Sequence, residues 1–173
     1  MATSMVPHRD PTGVKEACTQ GDWPEWERSI KCKIEQHKKI GMWVLIDPPA
    51  GANIVGSRTV LHYKLDKHGQ IQECKSRVVA QGFSQIEGID YNETFSPTAK
   101  LTAIRIIAAL AVRSDWEIEQ TDVVGAYLNA KLKEDIYMHQ PKGFETLGRE
   151  HAVLHLKRAI YRLKQSGHEW YDD

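Results

Sequence analysis

The strongest constraint on the fold of this chain is a pair of strand-like segments joined by a tight turn. Arg58–Leu65 alternates between apolar and polar residues, and Ile71–Gln81 is rich in basic and β-branched residues. Between them, Asp66–Gly69 reads Asp-Lys-His-Gly, a composition typical of reverse turns. The three segments predict a β-hairpin and therefore a fold that contains antiparallel sheet.

The predicted hairpin is basic. Lys75 and Arg77 lie two residues apart, and residues at that spacing share one face of a strand. Two cations on one face can hold a polyphosphate or a nucleic-acid backbone. The alternative is an edge strand that is protected from aggregation by its charges. Further cations on the same hairpin modestly favour phosphate binding: Arg58, Lys64 and Lys67.

Two other segments have the pattern of helices. Trp26, Ile30 and Ile34 recur at helical spacing within Glu25–Lys39, before the helix-stopping Gly41. Leu101–Val112 is apolar and rich in alanine, which predicts a buried helix, with Arg105 as a candidate for a buried ion pair. Short apolar segments predict four further strands: Met42–Ile46, Trp116–Gln120, Ile136–Met138 and Val153–Leu156. The segment Lys157–Lys164 is predicted to be a helix. The mixture predicts a layered α+β fold.

One carboxylate follows the predicted strand Trp116–Gln120. Asp122 stands there, ahead of small residues and the aromatic Tyr127. A carboxylate at a strand end is well placed to hold a hard cation such as Mg²⁺, and small residues let the backbone approach a ligand. From spacing alone, a helix cap is the favoured role for Asp122.

Several polar residues elsewhere have weaker signals. Asp90 and Glu93, in the loop of residues 82–97, are of a kind that is usually solvated. Gln165, at a predicted helix end, could bond a sugar or a base edge, although lone glutamines are usually surface residues. Asp172 and Asp173 follow a tyrosine, but they lie at the end of a charged helix without the apolar strands that a two-metal hairpin needs.

Length and composition narrow the remaining choices. The 173 residues suit about one domain, of which residues 1–22 read as a flexible lead-in and residues 23–173 as the folded part. The 23 basic and 23 acidic residues balance, so composition gives no support for a freestanding nucleic-acid binder. Three scattered cysteines, the lack of a long apolar run and the lack of a secretion signal favour a cytosolic or nuclear protein that is neither secreted nor in a membrane.

The ordered motifs resemble the reverse transcriptase of Ty1/copia-type retrotransposons. The resemblance begins near Trp23 and extends through the last residue. It is carried by Trp43 after the first helix, by Lys75–Phe83, Gly88–Pro97, Gln120–Val123 with Ala126–Asn129, Ile136–Phe144, and Leu163–Gln165. It implies a right-hand polymerase fold, of which residues 23–173 supply the fingers and the first, incomplete part of the palm.

The resemblance also implies roles for single residues. Asp122 matches the first of three metal-binding aspartates, and Tyr127 matches the aromatic that stacks under the incoming sugar and screens out a 2′-hydroxyl. Lys75 and Arg77 match the strand that contacts the incoming triphosphate, and Gln165 matches a glutamine that touches the nucleotide. The implied chemistry is attack of a primer 3′-hydroxyl on an α-phosphate with Mg²⁺, on an RNA or DNA template-primer with dNTPs.

The departures from the family are equally informative. Its paired palm aspartates follow the lysine-glutamine motif on a hairpin, and these 173 residues do not reach that hairpin. Arg162 stands where a glycine is usual. The sequence therefore predicts a fragment of a Pol polyprotein that is inactive alone, with the integrase and ribonuclease H regions as partners, in the cytoplasm (in virus-like particles) or the nucleus. The alternatives are a residual nucleotide- or nucleic-acid-binding module and a decayed, non-functional copy.

Overall fold

A computed structural model describes residues 9–173 of the protein. The fold is a mixture of helix and sheet, in agreement with the predicted α+β class. Its elements are α1 (Val14–Ala17), α2 (Trp23–Lys39), β1 (Trp43–Ile46), β2 (Ile54–Val55), β3 (Ser57–Leu65), β4 (Ile71–Ala80), a 3-10 turn (Gly82–Ser84), α3 (Leu101–Ser114), α4 (Ala126–Asn129), β5 (Lys131–His139), β6 (Val153–Arg158) and α5 (Ser166–Asp172).

The predicted hairpin and the predicted first helix are both confirmed, and they pack on each other. Strands β3 and β4 pair antiparallel from Ser57 opposite Ala80 to Leu65 opposite Ile71. Helix α2 buries its periodic apolar side chains against this pair, and the ring of Trp26 lies 4.9 Å from the ring of Tyr63. Alternation in the strands then leaves the opposite face of the hairpin outside the core.

The remaining strands form a four-stranded sheet in the order β1-β6-β5-β2. Strand β6 pairs antiparallel with both β1 and β5, and β2 pairs parallel with β5. The apolar residues of the central strands are almost fully buried and join the same core as α2 and the hairpin: Ile136, Met138, Leu154 and Leu156. The strands predicted at Met42–Ile46, Ile136–Met138 and Val153–Leu156 are therefore present.

Two of the local predictions are wrong. Lys157–Lys164 is not a helix, because its first residues extend β6 to Arg158 and the rest forms turns around Arg162, whose φ of 70° is incompatible with a right-handed helix. Trp116–Gln120 is not a strand and is exposed to solvent. Its residues have strand propensity, but the segment pairs with no strand of the two described sheets, and propensity alone does not form a strand.

Helix α3 is present where it was predicted, but the prediction that it is buried is wrong. Of its residues only Ala111 is buried, while Leu101, Ile104 and Ile107 each keep more than half of their surface exposed. Arg105 is exposed as well and does not form the expected buried ion pair. An apolar helix is expected to pack against another surface, but its composition does not show that this surface is part of the described residues. Among residues 9–173, no helix is long and apolar enough to cross a membrane.

The segment before α2, which the sequence predicts to be a flexible lead-in, contacts the rest of the protein where it is described. Residues 1–8 lie outside the described residues. Within residues 9–22, Ala17 of α1 is fully buried, and both carboxylate oxygens of Asp10 contact β3. One oxygen lies 2.7 Å from Nδ1 of His62, and the other accepts the backbone N–H of Tyr63 at 2.8 Å. Residues 9–22 are polar and have no regular pattern, yet they contact the hairpin, because β3 supplies hydrogen-bond partners for Asp10.

The buried His37 makes stability dependent on pH. Burial, with Lys33 as a smaller cause, lowers the pKa of His37 from 6.5 to about 4, and its Nδ1 atom has no hydrogen-bond partner among the described residues. As pH falls from 6.5 towards 4, the unfolded chain binds a proton that the native chain excludes. We expect the free energy of unfolding to fall by roughly 2 to 3 kcal/mol over this window.

Urea unfolding at pH 7 and pH 4.5 measures this effect. The variant His37→Phe removes the titrating group and keeps the ring that packs on Trp43, whereas His68→Gln removes an exposed histidine of the hairpin turn. The loss of stability between the two pH values should shrink in His37→Phe and persist in His68→Gln. Equal losses in all three proteins would contradict the assignment to His37.

Candidate functional site

The outer face of the hairpin carries most of the cations predicted from the sequence. Lys75 lies opposite His62 in the register, and Arg77 lies opposite Val60. Arg77 is exposed and Lys75 is half-buried, so both cations share the face that α2 leaves open. Two further cations, Arg58 and Lys64, are exposed on the same face of β3, with the imidazole of His62 between them along the strand.

The hairpin geometry is compatible with both interpretations of these cations. A row of positive charge on an open sheet face can hold phosphate groups. The hairpin is also a sheet of two strands, so each strand has an unpaired edge that charges would protect. Asp10 approaches His62 at 2.7 Å, and Glu73 lies opposite Lys64, which reduces the net charge at the far end of the face.

Asp122 lies in an exposed segment before α4 that forms neither helix nor strand. The helix itself begins at Ala126, and its N-cap residue is Gly125 with a φ of 66°, so Asp122 does not cap it. Within residues 9–173, no group of three or more histidine, cysteine, aspartate or glutamate side chains is placed to hold a metal ion. The described residues therefore do not complete a metal site around Asp122, which offers one carboxylate to the solvent.

Tyr127 is the aromatic residue of α4. Its ring meets the ring of Tyr161 edge-on, with centroids 5.9 Å apart, and about a third of the residue is exposed (37%). A hydrogen bond also anchors the end of this short helix, because the Arg158 guanidinium donates to the carbonyl of Asn129 at 2.7 Å. These contacts hold α4 and the Tyr127 ring in place and leave part of Tyr127 exposed to solvent.

Gln165 is completely buried, in contrast to the surface position that is usual for a lone glutamine. Its side-chain Nε2 donates to the carbonyl of Asp90 at 2.7 Å and lies 3.4 Å from a carboxylate oxygen of Glu134. Its Oε1 accepts from Nε2 of Gln85 at 3.0 Å. The amide that the resemblance assigns to the nucleotide is thus bonded on both sides to the protein.

Asp90 is a correction to the expectation of a solvated loop carboxylate. It is 2% exposed, and its Oδ2 accepts from Nδ2 of Asn53 at 2.6 Å and from the backbone N–H of Ile86 at 2.7 Å. Glu93, in contrast, is exposed as expected. A buried carboxylate is tolerated only when hydrogen bonds replace its water, and Asp90 meets that requirement.

Residues 85–96, here called the strap, lie across the turn that precedes α5. Besides the bond from Gln85 to Gln165, the backbone N–H of Lys164 donates to Oε1 of Gln85 at 2.8 Å. Nζ of Lys164 donates to the hydroxyl of Tyr91 at 2.8 Å, and Nδ1 of His168 lies 2.9 Å from the carbonyl of Phe95. The strap and the turn are therefore held together at several points along their length.

The turn before α5 also touches the end of the hairpin. The backbone N–H of Ala80, the last residue of β4, donates to the carbonyl of Tyr161 at 3.0 Å. A Cβ atom on Gly82 would collide with the carbonyl oxygen of Arg162, so the approach of the two backbones requires glycine there. Gln165 and the basic hairpin thus belong to one connected region, whereas Asp122 lies in the exposed segment before α4.

The last residues do not form a two-metal site. Tyr171 is exposed and Asp172 ends α5, where its carboxylate pairs with Nζ of Lys133 at 2.9 Å. On the inner side of the same helix, burial raises the pKa of the Glu169 carboxyl above its ordinary value, an effect that Lys133 opposes. The acidic groups of α5 are therefore engaged in fastening the helix to β5.

Sequence reasoning missed Gln85, which contacts both members of the lysine-glutamine pair. Its position directly after the glycine-containing turn Gly82–Ser84 was the signal available, but a single glutamine has no periodicity or partner pattern that would mark it as buried.

A mixed α/β domain with a basic hairpin beside a lysine-glutamine turn is compatible with a protein that handles phosphate-bearing ligands. Residues 40–173 match the family described as reverse transcriptase (RNA-dependent DNA polymerase), and the chain belongs to this family. No solved structure matches the chain at a significant level.

Its relatives include retrovirus-related Pol polyproteins of plant transposons. The polyprotein from transposon TNT 1-94 of Nicotiana tabacum is 37% identical over 163 residues, and the polyprotein from transposon RE1 of Arabidopsis thaliana is 38% identical over 173 residues. These alignments cover 94% and 99% of this chain but 12% of each relative. The chain thus corresponds to a part of the reverse transcriptase region of such polyproteins.

Arg162 should be a strained position. A side chain at a φ of 70° costs about 1 kcal/mol relative to glycine. We expect Arg162→Gly to raise the free energy of unfolding by up to about 1 kcal/mol in urea titrations. Arg162→Ala removes the same charge but keeps the strain, and should not stabilise. Equal stability of the two variants would show that the backbone conformation is not the cause.

Proposed function

We propose that this chain forms the fingers and the first part of the palm of a right-hand, RNA-directed DNA polymerase encoded by a copia-type retrotransposon. The observation that carries the proposal is the family match over residues 40–173, with relatives that align along nearly the whole chain. The structure supports it further, because the hairpin that would face the triphosphate has its cations on the face opposite the core.

Individual roles follow from this proposal. Lys75 and Arg77 contact the phosphates of the incoming dNTP, and Tyr127 stacks under the sugar. Asp122 supplies one carboxylate to a divalent cation, for which Mg²⁺ is the best candidate because it takes one or two carboxylates together with substrate phosphates. Gln165 belongs to the same region by resemblance, although its amide is engaged inside the protein.

The 173 residues by themselves should not synthesise DNA. Two-metal catalysis requires carboxylates that hold both ions, and among residues 9–173 no group of three or more histidine, cysteine, aspartate or glutamate side chains is placed to hold a metal ion. We expect no primer extension by the purified chain with Mg²⁺, dNTPs and an RNA template annealed to a DNA primer, under conditions in which a retroviral reverse transcriptase extends the primer fully.

The variant Asp122→Asn controls this experiment. It keeps the size of the side chain and removes its charge, so any trace of extension that persists in the variant comes from a contaminating polymerase. Template-dependent incorporation that the wild-type chain performs and Asp122→Asn lacks would refute the expected inactivity and would show that the site is complete in solution.

A second candidate function is nucleic-acid binding by the basic face of the hairpin without catalysis. Each phosphate contact to a single strand contributes about 0.7 to the slope of log affinity against log salt concentration. We expect labelled single-stranded RNA to bind at 50 mM salt and to be largely released at 200 mM. Lys75→Ala with Arg77→Ala should lower the slope by about 1.4.

A charge-matched variant separates this effect from net charge. Lys39 ends α2 and Lys142 follows β5, and both are exposed. The double variant Lys39→Ala with Lys142→Ala should keep the wild-type slope. If both double variants lose affinity equally, binding depends on total charge and not on the hairpin. Absence of binding at low salt would remove this candidate.

The remainder of a Pol polyprotein is the proposed partner of the chain. Helix α3 and the segment after it expose a series of large apolar side chains that water contacts unfavourably: Leu101, Ile104, Ile106, Ile107, Leu110, Val112, Trp116 and Ile118. Coverage of this surface by later parts of the polymerase would account for its composition. For a decayed copy without such parts, the same surface would promote aggregation. The compartment proposed for the complete protein is the cytoplasm, in virus-like particles, or the nucleus.

A further inference from the structure

We infer that Lys164 is a phosphate-contacting residue of this region and that Gln165 is a positioning residue, held in place by Gln85. The inference rests on the proposed function, since it assigns the ligand chemistry to phosphate oxygens of a nucleotide or a nucleic acid. It differs from the role that the resemblance implies for Gln165, which is direct contact with the nucleotide.

The first argument is the burial of Gln165. The residue has no exposed surface, and its amide donates to the carbonyl of Asp90 and accepts from Gln85. A direct contact with a nucleotide would require breaking these bonds and leaving buried polar groups without partners, which is costly. The amide is therefore well placed to hold the turn and poorly placed to reach a ligand.

The second argument is the position of Gln85, which is also buried. Its Nε2 donates to Gln165, and its Oε1 accepts the backbone N–H of Lys164 at 2.8 Å. One amide side chain thus bonds to two consecutive residues of the turn. This arrangement fixes the backbone of Lys164 and turns neighbouring side chains in opposite directions, Gln165 inward and Lys164 outward.

The third argument is the exposure of the Lys164 side chain and the contact of its ammonium group with Tyr91. Lys164 is exposed, and its Nζ donates to the hydroxyl of Tyr91 at 2.8 Å while lying 4.5 Å from the centroid of that ring. An ammonium group has three donors, so the bond to Tyr91 leaves others available for phosphate oxygens. The contact with a mostly buried aromatic residue limits the freedom of the lysine before a ligand arrives.

The fourth argument is the place of the turn beside the hairpin. The bond from Ala80 N–H to the carbonyl of Tyr161 attaches the turn to the end of β4, the strand that carries Lys75 and Arg77. Lys164 therefore belongs to a turn that is attached to the strand of the basic face, and it adds one exposed, preoriented cation to this connected region.

Fluorescence anisotropy with the 173-residue chain tests the inference in two arms. One arm titrates a labelled single-stranded RNA, and the other uses unlabelled dATP as competitor, so that a nucleic-acid source of phosphate is distinguished from a nucleotide source. We expect Lys164→Ala to weaken RNA binding about three- to tenfold and to lower the salt slope by about 0.7. The exposed Lys39→Ala should change neither.

The positioning role has its own variants. Gln85→Leu and Gln165→Leu keep every cation, yet each should weaken binding as Lys164→Ala does, and neither should weaken it further when combined with Lys164→Ala. Tyr91→Phe keeps the ring and removes the hydroxyl, and should cause a smaller loss.

Because the Leu variants could unfold, the side-chain NH₂ signals of Gln165 are also followed by NMR in the wild-type chain. They should exchange with solvent at least tenfold more slowly than those of the exposed Gln72.

The outcomes separate this inference from the proposed function. If Lys164→Ala binds with wild-type affinity and slope while Lys75→Ala with Arg77→Ala loses binding, the inference is overturned and the proposed function stands. The inference is also overturned if the Gln165 side-chain signals exchange rapidly, or if dATP shifts them while the signals of the strap stay fixed. If the wild-type chain binds neither ligand, the phosphate roles of Lys164 and of the hairpin both fail.

Discussion

The candidate site depends on a hydrogen-bonded group inside the protein, the paired side-chain amides of Gln85 and Gln165. They join the strap to the turn before α5, and through Tyr161 that turn is attached to the hairpin. Buried amides have no water to replace a lost partner, so this contact favours a single arrangement of the three segments. The position of Lys164 relative to the strap is fixed by the same pair, because Gln85 also accepts the backbone N–H of Lys164.

The packing of α2 on the hairpin has a different consequence. Because neighbouring side chains of a strand point to opposite faces, burying Leu61, Tyr63 and Val78 against the helix places Lys75 and Arg77 on the open side. The hydrophobic core thereby orients the basic face without any contact between charges. Docking of Asp10 onto His62 and Tyr63 adds a polar contact on the same side of the molecule.

Local patterns allowed some elements to be predicted well and others poorly. The hairpin and α2 were predicted because each has a turn or a periodicity of its own. The helix expected at Lys157–Lys164 failed because β6 has β1 and β5 on its two sides, and pairing with them outweighs helical propensity. Asp90 was taken for a solvated carboxylate because its donors, Asn53 and Ile86, are supplied by the tertiary arrangement and by a local turn that has no distinctive sequence.

By itself, the sequence determined the class of fold, the hairpin with its shared face for Lys75 and Arg77, and the resemblance to copia-type reverse transcriptases, which the family match confirms. These depend on residue order and on the two-residue repeat of a strand, both of which are local. Only the tertiary structure decided that Gln165 is inside and Lys164 outside, that α3 leaves its apolar surface open, and that Asp122 belongs to no group of three or more potential metal ligands within the described residues. The reason is physical: burial and hydrogen-bond partnership are properties of segments far apart in the chain, and no single segment encodes which other segment will cover it.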